Sequence, residues 1–241
     1  MKLQQLLSYV RRACDDYGMI AEGDRIAVGV SGGKDSLSLL AALKALQRFY
    51  PKNFELYAIT VSLGFPGSDF SGIAAFCAKL GVPYGVVGTD IGEIVFEARK
   101  EPNPCSLCSK MRKGALNSEA KRLGCNKVAL GHTRDDVCET LFLSLFFEGR
   151  LHTFSPVTYL DRIGLYSIRP LIYVQEKDTL SFTRRSGASV LKNPCPADGA
   201  TKRHEIKDFI REQTKRYNNF ESKIFGAIQR SDMEGWRKTL D

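Results

Sequence analysis

Apolar residues recur along the chain in short runs separated by helix-length amphipathic stretches. Between residues 2 and 17, Leu3, Leu6, Leu7, Val10, Cys14 and Tyr17 share one face at helical spacing while Arg11, Arg12 and Asp15 fall mostly elsewhere, which predicts an amphipathic helix with Cys14 in the core. From Arg25 the period changes. Apolar runs at 25–30, 54–62, 83–89 and 126–130 have the length of buried strands, and they alternate with helix-length segments near 35–49, 69–80, 105–123 and 133–148. Such alternation predicts an α/β fold: a doubly wound, mostly parallel sheet with helices on both faces. Beyond Arg150 the pattern loosens, then gives an apolar run at 166–174, a helix near 175–186, the segment NPCPADG and basic helices from about residue 201. The expected organisation is an N-terminal helix over 1–24, a nucleotide-binding domain over 25–200 and a small basic helical extension over 201–241.

In a doubly wound sheet, ligands bind outside the carboxyl ends of the strands. Two polar motifs fall there: SGGKDS at 31–36 after the first strand and GHTRDD at 131–136 after the fourth. In the first, Gly32 and Gly33 permit backbone angles closed to other residues and a close approach by a phosphate. Backbone N–H groups at the helix start then offer an anion site. Lys34 adds charge, Ser31 and Ser36 bring hydroxyls, and Asp35 can help hold a magnesium ion on the phosphates. An ordinary strand–helix turn would explain the glycines but not the polar residues packed around them. The spacing is not that of a Walker A loop. In the second motif, Gly131 and His132 are expected to face the nucleotide across the crevice; Asp135 and Asp136 begin a helix, where carboxylates also serve as caps.

Composition narrows the setting. The 241 residues are 43% hydrophobic, enough for a buried core, with no apolar run long enough to span a bilayer, so a cytoplasmic protein is expected. A net charge of +8 suits a polyanionic partner without specifying one. Seven cysteines without an export signal argue for thiol chemistry or a metal site over disulfides. Cys105 and Cys108 follow Pro104 at a helix start, where the dipole and Lys110, Arg112 and Lys113 favour thiolates. Cys195, between Pro194 and Pro196, stands on an extended backbone that presents its side chain as a third ligand. A thioredoxin-like dithiol and a zinc site completed by another residue are the competing readings. Cys77 and Cys138 lie mid-helix among apolar neighbours and read as packing residues, and Cys125 stays undecided.

The SGGKDS motif resembles the signature of PP-loop pyrophosphatases, which cleave ATP between the α and β phosphates. The ordered set SGGKDS, PCSLCSKMRKG, GHTRDD, IRPL and NPCP, running from Leu3 to Arg216, resembles the tRNA 2-thiocytidine synthetase family, with the 2-thiouridine family close behind. The resemblance implies ATP-dependent tRNA thiolation, a 4Fe-4S cluster on Cys105, Cys108 and Cys195 with one iron open to hydrosulfide, and catalytic roles for Asp35, Asp135 and Arg112. It implies as partners tRNA and a sulfur donor, either sulfide or a persulfide carrier such as a cysteine desulfurase, and leaves a homodimer open. Uridine thiolation, lysidine-type ligation and a non-catalytic nucleotide and cluster sensor are the alternatives. The chain departs from the family in two places: a lone Cys195 where bacterial members carry a cysteine pair, and a shorter segment, VSLGFPGSDF, after the second strand. The basic residues Lys202, Arg203, Lys207, Arg211, Lys215 and Arg216 fit either a solvated helix or tRNA contact.

Overall fold

The computed structural model describes residues 1–99, 104–188, 190–191 and 202–239; Cys195 and the rest of NPCPADG lie outside them. Six strands form one sheet in the order β3-β2-β1-β4-β6-β5. Strands β1 (Asp24–Gly29), β2 (Phe54–Ser62), β3 (Tyr84–Gly88), β4 (Lys127–Ala129) and β6 (Leu165–Ile168) run parallel, and β5 (Val157–Leu160) closes one edge antiparallel to β6. The β5–β6 hairpin is the part the sequence pattern does not foretell. The run at 166–174 is half strand and half turn: Leu171, Ile172 and Val174 are buried without being in the sheet.

Side-chain alternation explains the two layers. Ile26 and Val28 of β1 point into a large core with Leu37, Leu40 and Leu43 of α2 (Lys34–Leu46) and Leu6 and Val10 of α1 (Leu3–Asp16). Ala27 points the other way, with Ile59, Val128 and Leu165, against Leu116 and Ala120 of α5 (Pro104–Arg122). Both faces of β1 are thus covered, which is why it reads as a continuous apolar run. Helix α3 (Ser71–Leu80) follows β2, and a short turn α4 (Ile91–Glu93) continues into a π-helical turn at Ile94–Ala98. Helices α6 (Arg134–Glu148), α7 (Glu176–Ser186), α8 (Lys202–Arg216) and α9 (Phe220–Arg230) complete the fold; α8 and α9 pack on α6, and α7 on α2. The large core draws residues from both ends of the chain, joining Tyr17 to Phe225 and Trp236.

At the amino end of the sheet, Asp24 and Lys127 form a buried pair at 2.7 Å. Each has further partners: Asp24 accepts from the Ala21 N–H and the Asn126 amide, and Lys127 donates to the Met19 carbonyl. A buried pair supplied in this way avoids the cost of an uncompensated charge. It fixes β1 beside β4, and so the spacing of the two loops at their carboxyl ends.

Candidate active site

The chain leaves β1 toward β2, while β4 lies on the other side of β1, so a crevice opens between the segments that follow them. The SGGKDS segment turns at Gly32, whose φ of +81° lies in the left-handed region. Its order comes from its own hydroxyls: Ser36 Oγ accepts from the Ser31 N–H at 3.2 Å and donates to the Gly33 carbonyl at 2.9 Å. Helix α2 starts at Lys34 with Gly33 as its cap, and glycine offers no side-chain oxygen to the first N–H groups of the helix, which can therefore donate to an anion. Gly131 closes the gap from β4: a side chain there would meet the Asp35 carbonyl carbon and Ser36 nitrogen at 3.2 Å.

A cavity of about 480 Å³ lies beside the loop, lined by Ser31, Gly33, Thr60, Arg112, Leu191 and residues of the 63–70 segment. That is a size suited to a small-molecule ligand. The short segment after β2 therefore borders the phosphate loop directly, through Leu63, Phe65, Ser68 and Asp69 among others. Leu191, four residues before Cys195, donates its N–H to the Gly32 carbonyl at 3.0 Å and lays its side chain over Gly32. Cys105 and Cys108 sit one turn apart at the start of α5, the first exposed and the second packed with Ile91 and Val95. Arg112, one turn further along the same helix, lines the cavity.

His132 lies beside Phe154. Its imidazole packs on Phe154 with ring centroids 4.8 Å apart, and Nδ1 is buried without a hydrogen-bond partner. Burial, first, and the nearby Arg169 and Lys113 hold its pKa down to about 4, so the ring is neutral. Arg169, of the IRPL motif, is buried with its guanidinium over the same Phe154 ring and donates to the Ser155 carbonyl and Thr158 hydroxyl. Lys113 is lowered by burial and then by Arg169, Arg112 and Arg203, which marks a concentration of positive charge near this end of α5.

The two carboxylates of GHTRDD divide the work. Asp136 belongs to the helix cap, accepting from the Thr133 N–H at 2.8 Å and from its hydroxyl at 2.9 Å. Asp135 is left free of that cap and accepts instead from the Glu176 N–H at 2.8 Å. Burial, and then Glu221, push its pKa up to about 7. A carboxyl whose pKa is raised on folding contributes stability below its unfolded value of about 4, lost as pH rises through the folded one. Asp135→Asn should accordingly raise the melting temperature at pH 8 and leave it nearly unchanged at pH 4. Equal shifts at both pH values would show that this carboxyl titrates normally.

Glu176 and Thr179 of α7 carry no recognisable sequence signal, yet they hold the loop. Lys34 Nζ pairs with Asp35 at 2.9 Å and with Glu176 at 2.8 Å, and the Thr179 hydroxyl donates to Asp35. Of the basic residues on α8, Arg203 and Lys207 turn inward to Asp136, Glu139 and Glu176, while Arg211 and Arg216 pair along the helix with Asp208 and Glu212.

A PP-loop domain model matches residues 3–214. A tRNA-cytidine(32) 2-sulfurtransferase of Geobacter sulfurreducens is 38% identical over 89% of this chain and 85% of its own length. The chain belongs to this PP-loop family. A second relative of the same name, from Photorhabdus laumondii subsp. laumondii, is 40% identical over 95% of this chain and 76% of its own. Among solved structures, the U34-tRNA thiolase NcsA of Methanococcus maripaludis, which carries a 4Fe-4S cluster, superposes with a TM-score of 0.77 at 24% identity over 93% of this chain and 76% of that one. An NH3-dependent NAD synthetase from Campylobacter jejuni gives a TM-score of 0.51 at 15% identity over 96% of this chain and 95% of that one. The likeness to these two is one of fold.

Proposed function

We propose that this chain is an ATP-dependent tRNA sulfurtransferase that activates the C2 carbonyl oxygen of a cytidine by adenylation and replaces it with sulfur. The observation that carries this reading is a convergence: the phosphate loop and the cavity beside it meet Arg112, one turn along α5 from Cys108. The loop's N–H groups and Lys34 would hold the β and γ phosphates, with magnesium on Asp35. Arg112 would face the α phosphate and stabilise the charge that develops there as the base oxygen attacks and pyrophosphate leaves. Asp135, whose pKa burial pushes up to about 7, would exchange a proton at physiological pH.

The thiols fit a cluster. Two cysteines one turn apart at a helix start, one of them exposed, form a donor pair open to an incoming ion, and the segment leading to Cys195 is tied to the phosphate loop through Leu191. Cys105, Cys108 and Cys195 would hold a 4Fe-4S cluster, which would supply sulfide-level sulfur to the activated base. Sulfide-level sulfur adding at C2 would take the place of the adenylated oxygen, which would leave with AMP.

The test is mass spectrometry of tRNA from a strain lacking the gene, with and without the gene restored. A 2-thiocytidine that disappears and returns supports the reading, whereas loss of a 2-thiouridine would move the substrate to uridine. No loss of any thiolated nucleoside would reject tRNA thiolation. Binding of tRNA in vitro should also weaken steeply between about 50 and 200 mM salt as phosphate contacts release counterions.

A further inference from the structure

Glu176 stands at a junction of four elements. Its carboxylate bridges Lys34 of the phosphate loop at 2.8 Å and Lys207 of α8 at 2.7 Å. Its N–H donates to Asp135 at 2.8 Å. Lys207 lies 3.8 Å from Glu139, which is buried and pairs with Arg203 at 2.9 Å. Charges therefore alternate without a break from Lys34 through Glu176, Lys207 and Glu139 to Arg203, out of the loop and along α8. The Lys34 ammonium already spends two of its three N–H donors on two carboxylates, Asp35 and Glu176, so a triphosphate drawing on its charge competes with both of them.

We propose that Glu176 is a positioning residue that exchanges partners: when the loop takes up a nucleoside triphosphate, Lys34 passes to the phosphates and Glu176 is left to Lys207, drawing α8 more tightly onto α6 and α7. This rests on the reading of the loop as an ATP site. The sign follows from the charges. Two ammonium groups sharing one carboxylate repel, and the Lys34 charge works against the protonated form of Lys207. Once phosphate neutralises Lys34, that repulsion ends and the Glu176–Lys207 pair strengthens. A cavity of about 380 Å³, bordered by Asp135, Glu139, Glu176 and Lys207, gives these side chains room to move. By linkage, Lys207 must favour the nucleotide as much as the nucleotide favours a seated α8.

Two variants of the full chain test this with opposite signs. Glu176→Gln removes the charge and keeps the backbone N–H on Asp135, and Lys207→Met removes the far partner. The readouts are calorimetric affinity for α,β-methylene-ATP and hydrogen exchange of the amides over 203–215. In the unaltered chain, the analogue should slow α8 exchange on the order of fivefold. Glu176→Gln should abolish that response and bind the analogue at least as tightly, because Lys34 has one carboxylate fewer to leave. Lys207→Met should bind it several-fold more weakly, because Glu176 then holds Lys34 alone. Damage to packing alone would weaken binding in both. Weakening in both variants, or an α8 unmoved by the analogue in the unaltered chain, would overturn the proposal while leaving the ATP site standing. Failure of the unaltered chain to bind the analogue would overturn the ATP reading and this inference with it.

Discussion

Single replacement of Cys105, Cys108 or Cys195 by alanine is expected to remove most of the iron from anaerobically purified protein and all thiolation activity, while replacement of Cys14, Cys77 or Cys138 leaves both near normal. The two groups differ in surroundings. Cys105 is exposed at the first turn of α5, so its loss costs the fold little, and missing iron could not be ascribed to unfolding. Cys14, Cys77 and Cys138 are buried in the main core, and burial raises all three thiol pKa values, that of Cys77 to about 11. They stay protonated at neutral pH, and a protonated thiol is a poor metal ligand. Truncating them removes one buried sulfur each, at a cost of about 1 kcal/mol in stability. Iron content and visible absorption, read beside tRNA thiolation, make the comparison. A thioredoxin-like dithiol would spare the Cys195 variant, and a zinc site would show stoichiometric zinc with no visible charge-transfer band. A Cys195 variant with full iron and normal turnover would sink the three-thiolate model.

How far the sequence spoke depended on whether a residue's role is local. Strands β1, β2 and β4 of the parallel sheet were legible because they are largely buried and leave near-continuous apolar runs. The phosphate loop was legible because its order is internal, with Ser31, Gly33 and Ser36 bonding one another within six residues. The β5–β6 hairpin was not, since strands of four residues, with Tyr159 and Tyr166 exposed, give too short an alternation to detect. Glu176 and Thr179 were invisible for a different reason. An acid in the first turn of a helix reads as an ordinary cap, and its contact with Lys34 spans 142 residues. GHTRDD was readable as a motif but not in its division of labour, which depends on Thr133 claiming Asp136 and on α7 reaching Asp135. The packing of the His132 ring on Phe154 was not readable either, because Phe154 is a residue without any pattern of its own.

Asp35→Ala and Ser36→Ala should each abolish tRNA-dependent pyrophosphate release, by at least about a hundredfold, with iron content unchanged. The two side chains act differently. Ser36 holds the loop's shape, tying the Ser31 N–H to the Gly33 carbonyl; without it the donors that must converge on phosphate are no longer preorganised. Asp35 sits at the start of α2 between Lys34 and the Thr179 hydroxyl. Burial raises its pKa, against the pull of Lys34, so neutralising this carboxylate with its shape kept, as in Asp35→Asn, should not lower the melting temperature at neutral pH. Lost turnover in a protein that melts no lower would therefore assign the carboxylate to the reaction. Magnesium separates the two further: if Asp35 helps hold the ion, Asp35→Asn should need far more magnesium for half-maximal rate, whereas Ser36→Ala should fail at every magnesium concentration. Unchanged turnover in both alanine variants would exclude this loop as the site of ATP cleavage, and with it the adenylation step on which sulfur transfer depends.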